Sequence, residues 1–141
     1  MNKALHGVMQ RVHFAHGPDF QPYDQEGEAW NGFPAVRDLP GLPPEILAIP
    51  MPGHSRGHAC IAIDRGDRWL VHAGDAYFHP ADVRGEPAPF GIRLFQRAVA
   101  FDYRKVQENH RRLGELRGVA GISLFCAHDP AELAALQSTA G

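Results

Sequence analysis

Four short apolar runs constrain this chain more than any other feature. Residues 45–51 (EILAIPM), 58–64 (HACIAID) and 68–74 (RWLVHAG) follow one another closely, and residues 121–127 (GISLFCA) repeat the pattern much later. Each run is too short for an ordinary helix, is rich in Ile, Leu and Val, and is bounded by Pro or Gly, so each reads as a strand. Arg65-Gly66-Asp67 (RGD) is a tight turn that joins the second and third runs as a hairpin. Between the third and fourth lie IRLFQRAVAF (92–101) and DYRKVQENHRRLGELRG (102–118), which read as helices, with Asp102 as N-cap and Gly118 as the stop. PAELAALQ (130–137) reads as a closing helix with Pro130 in its first turn and Asp129 as its cap. Strands, then long helices, then one more strand define an α/β class with mixed, layered packing.

The first 44 residues read differently. Leu5, Val8, Met9 and Val12 recur at helical spacing, so residues 2–12 predict a short helix. Residues 17–44 are rich in Pro and Gly and read as loop, as do residues 80–91. So long a loop inside a compact domain needs a reason. Its aromatics, Phe20, Tyr23, Trp30 and Phe33, predict that it packs down onto the core. The chain thus reads as one domain over 1–141, with a helix and Pro-rich loop over 1–44 and an α/β core over 45–141.

Composition excludes several classes of function. Apolar residues make up 44% of the 141 and charged residues 21%, enough core and too little charge for a disordered chain. Fourteen Lys and Arg against sixteen Asp and Glu leave a net charge of −2, which offers no basic footprint to nucleic acid or an anionic membrane. No apolar run is long enough to span a bilayer, and the start, MNKALHGVMQRVHFAHG, lacks a signal-peptide core, so the expected location is the cytoplasm. Cys60 and Cys126 read as small buried residues in a reducing compartment. Nine His are an excess, and His is both the commonest transition-metal ligand and the neutral-pH acid and base.

Three of the polar residues stand where strands end. His54 follows EILAIPMPG, Asp75 follows RWLVHAG, and His128 follows GISLFCA. Sheet-based folds place their sites at strand ends, and apolar strands hold such loops rigid. Two imidazoles and a carboxylate suit zinc or iron. Their wide separation along the chain matches no local metal motif.

The motifs PGHSRGH, HAGD and CAHD, in this order and on these strands, resemble the metallo-β-lactamase superfamily over about residues 45–130. The resemblance implies part of an αβ/βα sandwich, here its C-terminal half, a hairpin and strands packed with helices. It implies a hydrolase of ester, thioester or lactone substrates that uses a binuclear centre of Zn, or Fe or Mn, to lower the pKa of a water and polarise the scissile carbonyl. By the same resemblance His54 binds one metal, Asp75 bridges both, and His128 binds the second. His58 would orient a ligand or hydrogen-bond loop backbone. Tyr77 and His79 lie in the loop bordering the substrate pocket, where Tyr77 could donate to a substrate oxyanion or pack at the surface.

One part of the family pattern is missing. The superfamily's His-x-His-x-Asp-His string, which supplies most of the ligands and the Asp that handles the attacking water, occurs nowhere in this sequence. Three readings follow from that. The chain is a metallo-hydrolase with an incomplete site and little activity of its own, a non-catalytic half-fold serving as an interaction module, or a fragment of a longer hydrolase. Leu47, Ile49, Ile61 and Ile63 should be covered on both faces of their sheet. A half-fold should therefore expose apolar surface and self-associate, or pair with the missing N-terminal half. His13 and His16 share a helical face and could act as substitute ligands, but Gly17-Pro18 ends any helix there.

Overall fold

The computed structural model describes residues 15–20, 27–36 and 39–138. The helix expected over residues 2–12, together with His13 and Tyr23, lies outside them. The elements run β1 Glu28–Trp30, β2 Phe33–Ala35, β3 Ile46–Pro50, β4 Ala59–Asp64, β5 Trp69–His72, α1 Ala81–Arg84, α2 Phe90–Val99, α3 Tyr103–Arg117, β6 Ile122–Phe125 and α4 Pro130–Ser138. The fold is mixed α/β, as the strand and helix pattern predicts.

The main sheet has the order β3-β4-β5-β6. β4 runs antiparallel to both β3 and β5, and β6 runs parallel to β5. Hence β3, β5 and β6 all point the same way, and their C-terminal ends share one edge of the sheet. That topology carries residues from three distant parts of the chain to one place. The turn between β4 and β5 is the expected one: Arg65 N–H donates to Arg68 O, and Gly66 takes a φ of 83° that favours glycine.

Two corrections apply to the segments read as loop. Residues 17–44 contain a hairpin, β1 paired with β2, turning through Asn31-Gly32 at φ 44° and 80°. Asn-Gly is the strongest short hairpin signal. Pro34 inside a three-residue strand masks it, because proline demotes a run to an edge position. Within residues 80–91, Ala81–Arg84 forms the single turn α1. The remaining helices fall close to expectation, α2 starting at Phe90 behind Pro89 and α3 capped by Asp102, whose Oδ1 accepts from Arg104 N–H and Lys105 N–H. Gly118 does end α3, but in right-handed conformation.

The core lies on one face of the sheet. Leu47, Ile49, Cys60, Ala62 and Val71 meet Val106-bearing α3 through Leu113 and Leu116, and Trp30 and Phe33 of the hairpin join them. Trp30 packs edge-on to Trp69 at 5.1 Å, and Arg112 of α3 lies 4.1 Å over the Phe33 ring while donating to Gly32 O. The loop aromatics thus pack down in part, whereas Phe20 is exposed. On the other face Val36, Leu39 and Ala48 form a second, small cluster with Ile46 and Ile61 against it. Of the four residues expected to need cover on both sides, Leu47 and Ile49 are buried, Ile61 is half-buried and Ile63 is 37% exposed. The Pro-rich segment therefore covers only part of that face.

Candidate metal centre

The turn PGHSRGH is built by close approach to α3. A Cβ on Gly53 would stand 3.0 Å from Val106 N, a tight contact that favours glycine where the turn seats. Asn109 Nδ2 donates to Pro52 O at 2.9 Å, and Asp102 N–H donates to Gly53 O, fixing the turn from both sides. His54 leaves this anchored turn at the end of β3.

The HAGD turn is held by His58. Its Nδ1 lies 3.1 Å from Met51 O and can only donate there, so its Nε2 is free to accept the Asp75 N–H at 3.1 Å. Gly74, at φ 54°, lies so close that a Cβ would sit 2.9 Å from that Nε2. Burial holds the His58 imidazole below its ordinary pKa, which favours the neutral form these two bonds require. His58 therefore links the His54 turn to the Asp75 backbone. The third loop is sewn on by Ala127 N–H donating to Gly74 O. His128 is released from capping duty, because Asp129 Oδ1 accepts from Ala131 N–H and Glu132 N–H at the start of α4.

These loops bring His54, Asp75 and His128 together. Asp75 Oδ1 lies 2.9 Å from His128 Nε2, and Asp75 Oδ2 lies 3.3 Å from His54 Nε2. The cluster is open to solvent, with side-chain exposures of 25% for His54, 38% for Asp75 and 47% for His128. Among the described residues no three His, Cys, Asp or Glu side chains close around one point as a ready-made cage. The arrangement is two pairs sharing one carboxylate.

That arrangement fits divalent cations in donor type and nearly in spacing. Zinc ligands at about 2.0–2.2 Å stand roughly 3.4 Å apart at a tetrahedral angle. The His54–Asp75 separation already matches, and the His128–Asp75 pair would open by about half an ångström. One group is left over: His54 Nδ1 is buried without a partner among the described residues. A metal-ligating His donates its other N–H to an acceptor, so a complete site must bring one to this atom.

Other candidates lie elsewhere. Tyr77 is not on a pocket wall but fully buried, its hydroxyl donating to Glu132 Oε2 at 2.8 Å. The same carboxylate accepts from Cys126 N–H and from Arg117 Nη1. A buried carboxylate is costly unless so paired, and this one locks α4 and the end of β6 to the residue two beyond Asp75. Sequence pattern could not reveal a contact across so long a span. His79 Nδ1 accepts from Ala81 N–H at the start of α1. His72 lies against the Phe125 ring. His16 is exposed in a turn. Cys60 and Cys126 are buried free thiols pushed up to about 12 and about 11, so neither offers a thiolate near neutral pH. A hollow of about 760 Å³ beside α1 and α3, lined by Asp82, Arg93, Tyr103 and His110 among others, includes none of the three donors.

The residue missed by sequence reasoning is Phe78. Its ring stands 4.5 Å from His128 and 5.8 Å from His54, edge-on to both. Its position three after Asp75, in the loop already marked by Tyr77 and His79, was the available signal.

Comparison with known proteins gives the family. Probable metallo-hydrolase Rv2300c of Mycobacterium tuberculosis and Probable metallo-hydrolase Mb2322c of Mycobacterium bovis are each 36% identical to the chain over 124 residues, 86% of its length. The chain belongs to this family of metallo-hydrolases, within the metallo-β-lactamase superfamily. It spans about 40% of the length of these curated relatives. No family model matches it. Among solved structures, an N-acyl homoserine lactone hydrolase with the product N-hexanoyl-L-homoserine at its catalytic metal center superposes with a TM-score of 0.51 at 20% identity, covering 72% of this chain and 36% of that one. A variant of the Bacillus thuringiensis protein AiiA, with N-decanoyl-L-homoserine bound at the active site, gives 0.52 at 20% identity with the same coverage. At that identity the likeness concerns the fold, of which this chain matches a part.

Proposed function

We propose that this chain forms one wall of a metal-dependent hydrolase centre acting on an ester, thioester or lactone, with His54, Asp75 and His128 as its metal ligands. The observation that carries the reading is the shared carboxylate, whose two oxygens each face a different imidazole at 2.9 and 3.3 Å. A carboxylate so placed can serve two cation positions, each with one imidazole of its own. When bound, zinc, iron or manganese would supply an acidified water and polarise the scissile carbonyl. The chain's own part is to fix the donors. His58 holds the Asp75 backbone, α3 holds the His54 turn, and Asp129 keeps His128 free. The partial exposure of all three leaves room for a substrate carbonyl and a water.

The test is titration of the chain with zinc, followed by the imidazole NMR signals. Shifts should be confined to His54, His58 and His128 and should vanish in Asp75→Ala. Zinc-induced shifts centred on His13 and His16, or none at all, would refute the assignment.

A further inference from the structure

The closing helix α4 docks by a carboxylate and not by an apolar stripe. Of Pro130–Ser138 only Glu132 is buried, while Leu133 is exposed. Burying a charge is costly, and well-packed apolar residues in place of a buried ion pair often serve stability as well or better. Stability therefore does not account for an acidic residue at this position. The places of its partners do.

Glu132 closes a ring around His128. Its Oε2 accepts from Cys126 N–H at 3.1 Å, and its own N–H donates to Asp129 Oδ1 at 3.0 Å. His128 lies inside that ring, between Cys126 and Asp129. The same Oε2 accepts from Tyr77 O–H at 2.8 Å, and Tyr77 lies two residues past Asp75. One oxygen atom thus ties the loops that carry both members of the Asp75–His128 pair, whose side chains meet at 2.9 Å. Arg117 Nη1 balances the charge from Oε1 at 3.0 Å. Tyr77, Cys126 and Glu132 are all buried, so the tie is internal to the fold. The His54 arm is held separately, by Asn109 on Pro52 O and by Asp102 N–H on Gly53 O.

We infer that Glu132 is a positioning residue that sets the spacing of Asp75 and His128, through Tyr77 and Cys126 N–H, and so shapes the cation position these two donors share. The inference rests on the metal reading above.

The experiment follows the imidazole NMR signals of His54 and His128 in the 141-residue chain during zinc titration. Amide exchange at Ala127, whose N–H donates to Gly74 O between the same two loops, is measured without zinc. The variants are Glu132→Leu and the milder Tyr77→Phe, which keeps the buried ring. In both, the zinc concentration at half-response of His128 should rise about tenfold, the lower end for groups that orient a metal ligand. The His54 response should change little, and Ala127 N–H should exchange faster. Glu132→Gln keeps an acceptor oxygen for Tyr77 and Cys126 and gives up only Arg117, which is one-third exposed. Its His128 response should return towards that of the parent chain. Asn109→Ala, on the other arm, should shift His54 instead. A merely structural Glu132 would weaken both imidazole responses alike, and that result overturns the inference. So does unchanged Ala127 exchange in Glu132→Leu and Tyr77→Phe. A parent chain without any zinc response overturns the metal reading, and Ala127 exchange then decides by itself whether Glu132 sets the spacing.

Discussion

His58 shows how one side chain can specify a site without entering it. Its Nδ1–H must donate to Met51 O, which leaves Nε2 as the acceptor of the Asp75 N–H. The tautomer is dictated by its two neighbours. In His58→Ala the part-buried Asp75 N–H loses its acceptor, a cost of up to about 1 kcal/mol. The carboxylate would then be held by its side-chain pairs alone. Loss of a group that orients a metal ligand typically weakens the metal 10–100-fold. Chelator competition with zinc should show a drop of that order for His58→Ala, alongside a lowered melting temperature. An unchanged zinc affinity would reduce His58 to a purely structural role.

At the scale of elements, α3 does most to place the site. Its buried stripe of Val106, Asn109, Leu113 and Leu116 packs on the sheet, and Asn109 also holds Pro52 O. His110 adds a second tie, from Nε2 to Ala76 O. Burial holds its imidazole below the ordinary value of about 6.5. The neutral form is thus preferred in the folded chain, and the unfolded chain takes up a proton more readily. Stability from this group is complete above about pH 6.5 and is lost as pH falls through the lower folded value. Urea unfolding at successive pH values should show that decline, and His110→Gln should make it shallower. The stripe, its Asp102 cap and the strands were legible because periodicity and punctuation are local properties of the chain. The convergence of His54, Asp75 and His128 was legible because each follows an apolar strand, the first two directly after a glycine. What was not legible depends on distant partners: the burial of Tyr77 against Glu132, the outward face of α2, and the hairpin hidden by Pro34.

For the whole molecule, the decisive quantity is the number of donors each cation position receives. Among the described residues each proposed position would have one imidazole and a share of Asp75. Catalytic zinc normally takes three protein ligands and keeps one position open. The sequence contains no His-x-His-x-Asp-His string to add more, and the chain spans about 40% of the length of its curated relatives. Ile63 of the sheet and the aromatics Phe90 and Phe95 of α2 lie at the surface. The 141-residue chain by itself should therefore bind zinc weakly and hydrolyse thioester, lactone or β-lactam substrates little or not at all. Fusing ahead of Met1 a segment of a metallo-β-lactamase-superfamily protein that contains a His-x-His-x-Asp-His string should raise both zinc affinity and turnover. His54→Ala in that fusion should remove the gain. Robust zinc-dependent turnover by the chain alone would overturn the two-donor count and direct attention to His13 and His16 as additional ligands.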